Sequence, residues 1–170
     1  MTRLLGIDLG TRRVGLAIAE EGDVRAHPLA TIPRRRTAAE DVAALARIAA
    51  ANGVTELVVG LPLDMSGVEG AMAAEARQWA LAVARGTDLP VRLRDERLSS
   101  HVAEARVGAA GRGRAGGPPG PTRRAAHRAR VDREAAAVIL EDELEARRHG
   151  GPGELVTAPG PRATTNEEER

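Results

Sequence analysis

The sequence has no cysteine, which excludes disulfides, thiolate catalysis and cysteine-ligated zinc. It also has no phenylalanine or tyrosine and a single tryptophan, Trp79. Alanine, valine, leucine and isoleucine must therefore fill the core, and recognition of single strands by base stacking is a poor fit. Lysine is absent as well: all 25 basic residues are arginine. That uniformity reflects genome composition and by itself says nothing about phosphate recognition. No apolar stretch reaches the roughly 18 residues a membrane span needs, and the apolar run after Arg3 is only strand-length. Neither a signal peptide nor a membrane partner is expected, and the expected compartment is the cytoplasm.

What is present fits one domain of ordinary size, residues 1–149, followed by a disordered tail over 150–170 that is rich in Pro, Gly, Thr and Glu. Net charge is only +1, but its distribution is uneven. Between Arg106 and Arg133 lie eight arginines and one histidine against a single acid, Asp132. Such a block suits a polyanion partner. A solvated basic loop would look the same.

The alternation of apolar and turn residues predicts an antiparallel meander over residues 3–8, 14–19 and 24–32. Pro28 makes its third strand an edge or bulged one. Thr37 and Glu40 form a capping box that opens a helix to about residue 51. A buried strand follows at 56–60, a helix at 69–85, a strand at 91–94 and a short helix at 100–109. Strand, helix, strand in this order implies parallel pairing through right-handed crossovers. A flexible Gly/Pro/Arg-rich loop over about 111–123 then leads into a last helix, about 124–147, with one apolar face. The fold class is α/β: a five-stranded mixed sheet, meander first and parallel strands after, flanked by helices.

Asp8 ends the first strand between Gly6 and Gly10. A carboxylate at the end of a buried strand is costly to desolvate unless a cation meets it. Asp also serves turns by accepting backbone hydrogen bonds, and on this stretch alone the two readings stand level. Glu96 follows the last parallel strand, and Asp132 lies at the edge of the apolar face of the final helix. The first strand should be central, which brings Asp8 and Glu96 close; strand parity admits only one of Asp95 and Glu96 beside Asp8 and does not say which. Three converging carboxylates repel unless divalent cations neutralise them, and oxygen ligands select Mg²⁺ or Mn²⁺. Two such ions about 3.5–4 Å apart can hold the water and the leaving oxygen of a phosphodiester in line. Taken singly, Glu96 could instead pair with Arg94 or Arg97, and Asp132 with Arg128. The four histidines, His27, His101, His127 and His149, show no metal-ligand spacing and read as surface or loop residues.

These motifs together resemble a known family. Gly6-Ile7-Asp8-Leu9-Gly10-Thr11-Arg12-Arg13-Val14-Gly15, Val59-Gly60-Leu61-Pro62-Leu63 with Gly67 and Gly70, Asp95-Glu96-Arg97-Leu98-Ser99-Ser100, and Asp132 with Ala135-Ala136 and Ile139-Leu140 are similar in order and spacing to the YqgF family. That family is associated with pre-16S rRNA nuclease and Holliday-junction-resolvase-like proteins of RNase H-like fold. The resemblance covers about residues 3–145. It implies metal-dependent hydrolysis of a nucleic-acid backbone, with Asp8, Glu96 and Asp132 as catalytic and metal-binding acids around Mg²⁺ or Mn²⁺, two ions being expected. It also implies a substrate groove lined by Gly60, Leu61 and Pro62, a phosphate-holding or Glu96-orienting role for Arg97, and phosphate contacts from Arg12 and Arg13. Arg128 and Arg130, from the basic block, join these as candidate nucleic-acid contacts. The expected substrate is an rRNA precursor processed during ribosome biogenesis, with ribosomal particles as a further partner, and the chain should act as a monomer or weak dimer. The competing readings are a resolvase-like DNA endonuclease acting on four-way junctions and a noncatalytic ribosome-assembly protein that binds nucleic acid. An ATPase or sugar kinase shares the first motif but builds its cleft from two such domains.

Overall fold

Side-chain alternation in the central strands sorts the chain into two layers on either side of one sheet. The computed structural model describes residues 1–97, 99–111 and 117–156. Its elements are β1 (Arg3–Leu9), β2 (Arg13–Glu20), β3 (His27–Pro33), α1 (Ala38–Ala51), β4 (Glu56–Leu61), α2 (Ala71–Thr87), β5 (Val91–Asp95), α3 (Ser99–Val107), α4 (Pro121–Arg148) and β6 (Glu154–Val156). The sheet runs β3-β2-β1-β4-β5-β6. The meander is antiparallel, and β1, β4 and β5 are mutually parallel, as the sequence implies.

On one face, Leu5, Ile7, Val14, Leu16, Leu57, Val59, Val91 and Leu93 pack against Leu45 and Ala49 of α1 and Ala76, Trp79, Ala80 and Val83 of α2. The capping box opens α1: the Thr37 side chain accepts from the Glu40 amide, and the Glu40 carboxylate accepts from the Thr37 amide. On the other face, α4 lays Ala136, Ala137, Ile139, Leu140 and Leu144 on Leu4, Ala17, Ala19 and Val58. Each fully buried Ile or Leu there contributes roughly 1.5–3 kcal/mol. Several of the sheet residues beneath α4 are small, Gly6, Gly15, Ala17 and Ala19, which brings the helix backbone down onto β1 and β2. Gly15 is the extreme case: a β-carbon there would run into the Asp132 carbonyl. This contact fixes the height of α4 at the turn that carries Asp132.

Two expectations need correction. The sheet has six strands, not five, because Glu154–Val156 pairs antiparallel with β5. Those residues fall in the stretch that its Pro- and Gly-rich surroundings mark as tail. They are held by specific anchors: the Gly153 amide donates to Glu143 at 2.8 Å and Arg92 donates to the Gly153 carbonyl at 3.0 Å. The last helix also starts earlier, at Pro121, whose fixed φ and missing N–H suit a first helical position. The centre of the Gly/Pro/Arg loop, 112–116, and the tail from 157 onward lie outside the described residues.

Gly15→Ala should destabilise the protein by about 2 kcal/mol or more, because a helix backbone and not a rotamer must move. Gly111→Ala, where an added β-carbon meets nothing within 4 Å, should change stability little. Urea unfolding of the two variants checks the contrast.

Candidate active site

Strand parity settles which acids share a side. Leu4 lies on the α4 face, so Asp8, four residues on along β1, lies there too. On β5, Leu93 packs on the α1/α2 face, which turns Arg92 and Arg94 toward α4. Glu96 continues that alternation, so it is Glu96 that joins Asp8. Asp95 is engaged elsewhere: it accepts from the Arg97 side chain at 2.8 Å and from the Arg97 amide at 3.0 Å.

β1 and β5 are not neighbours, because β4 runs between them. Glu96 reaches across through a gap in β4. A β-carbon on Gly60 would overlap Glu96 Oε2 and would sit 2.7 Å from Ile139 Cδ1. Glu96 therefore occupies the side-chain space that Gly60 leaves empty. Its amide donates to the Leu61 carbonyl at 3.2 Å, which fixes the backbone beside that slot.

The electrostatics of this corner are unfavourable as it stands. Burial, and then the charge of Asp132, push Asp8 from the ordinary 3.8 to about 7. Burial, followed by the charges of Asp8 and Asp95, raises Glu96 from 4.5 to about 8. Glu96 Oε2 is buried without a hydrogen-bond partner among the described residues. The ion pair to Arg94 or Arg97 that the sequence allows for Glu96 is not made.

Asp132 is held differently. Its Oδ2 accepts from Arg13 Nε at 2.5 Å, so its partner is Arg13 and not the helical neighbour Arg128. With Asp132 drawn to Arg13, no group of three acids or histidines among the described residues converges tightly enough to hold one ion. The charge of Asp132 is felt at Asp8 and that of Asp8 at Glu96, so the three acids face one corner without closing on a single point.

Arg12 and Arg128 are exposed and flank a cleft of about 340 Å³ formed by Gly10, Thr11, Arg12, Arg13, Arg128 and Asp132. Arg130 is exposed on the same helix. Arg97 is exposed and tethered by Asp95, with a long contact to the Met65 carbonyl at 3.4 Å. Leu61 is a core residue and Pro62 is half-buried, so of the predicted groove residues Gly60 has the clearest role.

Sequence reasoning passed over two groups. Arg34 donates to the Gly10 carbonyl and to the buried Asp41, both at 3.0 Å, and Asp41 also accepts from Trp79 at 3.0 Å. This chain anchors the β1–β2 turn to the far face of the sheet. His127, set aside as a surface residue, lines a second hollow with Ser100, Glu104, Arg13 and Asp132. Neither has a local spacing signal, since their partners come from distant elements.

A family model described as "RuvX: Holliday junction resolvase" matches residues 2–146. The chain belongs to this RuvX (YqgF) family. A relative from Anaeromyxobacter dehalogenans, named "Putative pre-16S rRNA nuclease", is 46% identical over 145 residues, covering 85% of this chain and 98% of the relative. One of the same name from Kineococcus radiotolerans is 40% identical, covering 91% and 78%. By these names the family is one of nucleases, and so of hydrolases. Among solved structures, Thermus thermophilus RuvC in complex with a Holliday junction substrate superposes with a TM-score of 0.52 at 17% identity, covering 90% of this chain and 99% of RuvC. A second Thermus thermophilus RuvC structure gives 0.51, also at 17% identity. The RuvX chain thus has the RNase H-like fold that its motifs imply.

For this RuvX chain the raised carboxylates set a sign for pH dependence. A group whose folded-state value lies above its unfolded one favours the protonated fold, so metal-free stability should decline as pH climbs from about 4 to about 8. In EDTA, Asp8→Asn should exceed wild type in stability at pH 8, by on the order of 1–3 kcal/mol, and lose that advantage near pH 4. Urea midpoints at the two pH values measure it, and an equal gap at both would remove the electrostatic cause.

Proposed function

We propose that this chain is a divalent-metal-dependent nuclease that cleaves the phosphodiester backbone of a 16S rRNA precursor at its 5′ end, as part of ribosome biogenesis. The observation that supports it is the half-buried Asp8 and Glu96, with one Glu96 carboxylate oxygen buried and unpartnered among the described residues. Without a ligand such a pair is relieved by holding protons; a divalent cation would take their place, and a set of oxygen donors suits Mg²⁺ or Mn²⁺. Asp8 and Glu96 would hold the ion or ions, with Asp132 completing the set. When bound, such ions activate water and stabilise charge on the phosphate. The chain's own residues supply the rest. Arg12 and Arg128 grip backbone phosphates at the edge of the cleft, with Arg130 extending the basic surface along α4. Asp95 holds Arg97 in a fixed orientation beside Glu96. The near absence of aromatic residues favours recognition of backbone and shape over stacked bases.

Junction cleavage is a second reading, favoured by the family's description as a resolvase. Precursor RNA is preferred because the relatives carry the rRNA name. Ribosomal particles and a cytoplasmic setting belong to the same reading.

Purified protein incubated with labelled rRNA precursor and with a four-way junction, in Mn²⁺ or EDTA, decides between them. Cleavage of the precursor that requires Mn²⁺ and falls at least about 100-fold in Asp8→Asn is expected. Cleavage of the junction alone would transfer the activity to DNA. Binding without cleavage would make the protein a noncatalytic assembly factor. In a separate assay, Arg12→Gln and Arg128→Gln should each reduce the salt slope of nucleic-acid affinity by about one.

A further inference from the structure

Arg13 does two things that conflict. It pairs with Asp132 at 2.5 Å, and it lines the same cleft as Arg12 and Arg128, where a phosphate would sit. Among the described residues neither Arg12 nor Arg128 has an ion pair, so this cleft holds three guanidinium groups against the one Asp132 carboxylate. The pair can be reached by a ligand, since both side chains are partly open to solvent, at 32% and 22%. By contrast, Asp41 and Glu143, which fasten elements elsewhere in the molecule, are almost fully enclosed.

We infer that Arg13 is a positioning residue that withholds Asp132 from the metal site until a backbone phosphate enters the cleft and takes Arg13 for itself. The inference rests on the nuclease reading and adds an order of events to it. A phosphate offers Arg13 two oxygens in the bidentate geometry a guanidinium prefers, and Arg12 and Arg128 add to the attraction. Asp132 is then left facing the Asp8–Glu96 corner without its counter-charge, which makes a divalent cation the favoured partner. Nucleic acid and metal therefore bind with positive coupling, and each raises the affinity for the other by the same factor. Free protein keeps an incomplete site, which restrains stray hydrolysis.

Mn²⁺ binding, read by the loss of the free-ion electron paramagnetic resonance signal, tests this without any measurement of activity. Mn²⁺ alone should bind Arg13→Gln on the order of tenfold more tightly than wild type, and that gain should vanish when Asp132→Asn is added. Arg12→Gln removes a charge from the same cleft without freeing Asp132, so its gain should be clearly smaller than that of Arg13→Gln and should survive Asp132→Asn. Addition of a short phosphorothioate RNA duplex should raise wild type toward the affinity of Arg13→Gln and should hardly change Arg13→Gln itself. Thermal unfolding shows which variants are folded. Should Arg13→Gln not fold, Arg13→Lys, which lacks the Nε donor, should show a smaller gain in the same direction. Unchanged or weaker Mn²⁺ binding in the folded Arg13 variant, with binding still lost in Asp8→Asn, overturns the latch and leaves the nuclease reading intact. Mn²⁺ binding that ignores Asp8→Asn, or no binding by any form, overturns both.

Discussion

Two half-buried carboxylates, Asp8 and Glu96, neither of them paired with an arginine among the described residues, set the terms for one end of this protein. Desolvation opposes the ionised form of both, and repulsion from Asp132 at Asp8 and from Asp8 and Asp95 at Glu96 adds to it; the surrounding packing holds them there. Asp8 is fixed by its place on a central strand. Glu96 is fixed by the last turn of backbone after β5, hydrogen-bonded to Leu61. The space between them exists only because β4 carries a glycine at that level. Strain of this kind persists at functional sites when the rest of the structure overdetermines it.

The overdetermination comes from the small residues beneath α4. Gly15, Ala17 and Ala19 on β2 let the helix backbone approach the sheet closely, and the Asp132 carbonyl rests directly over Gly15. A core without phenylalanine or tyrosine suits this design, since bulky rings under α4 would lift Asp132 away from Asp8. The opposite layer carries the one large ring, Trp79, whose indole N–H is tied to Asp41 and through it to Arg34 and the Gly10 carbonyl. The turn that presents Arg12 and Arg13 is thus braced from the face where bulk is tolerated.

Much of this was legible in the sequence, for reasons that differ residue by residue. The strand and helix order followed from apolar periodicity and from punctuation by Gly, Pro and the Thr37 cap. Asp8, Glu96 and Asp132 stood out as acids at the edges of apolar segments. The choice of Glu96 over Asp95 was not legible, because it depends on where β5 ends to within one residue. Gly60 was visible as a motif glycine, yet its purpose as a slot appears only once the register sets β4 between β1 and β5. The Arg13–Asp132 pair joins residues 119 positions apart, and no local spacing announces such a contact. β6 escaped notice because three residues cannot show a period, and what holds them is a buried glutamate on another element.

The same sheet face carries acids at both ends, and the chain treats them in opposite ways. Away from the Asp8–Glu96 corner, Glu56 accepts from Arg92 at 2.7 Å and from Arg147 at 2.5 Å, while the fully enclosed Glu143 accepts from Arg147 at 2.9 Å and from the Gly153 amide. Every buried acid there has its counter-charge or donor, which is the ordinary condition for burying a carboxylate. At the other end, arginine is just as available: Arg97 follows Glu96 directly, and Arg12 and Arg128 line the adjoining cleft. None of them is turned onto Asp8 or Glu96. Arg97 is diverted to Asp95, and Arg13 reaches only Asp132. A chain able to neutralise one set of acids with such thoroughness leaves the other set bare, although stability alone would favour pairing it. Packing alone does not explain that asymmetry; the proposed divalent-cation site would, because an ion from outside supplies the missing counter-charge.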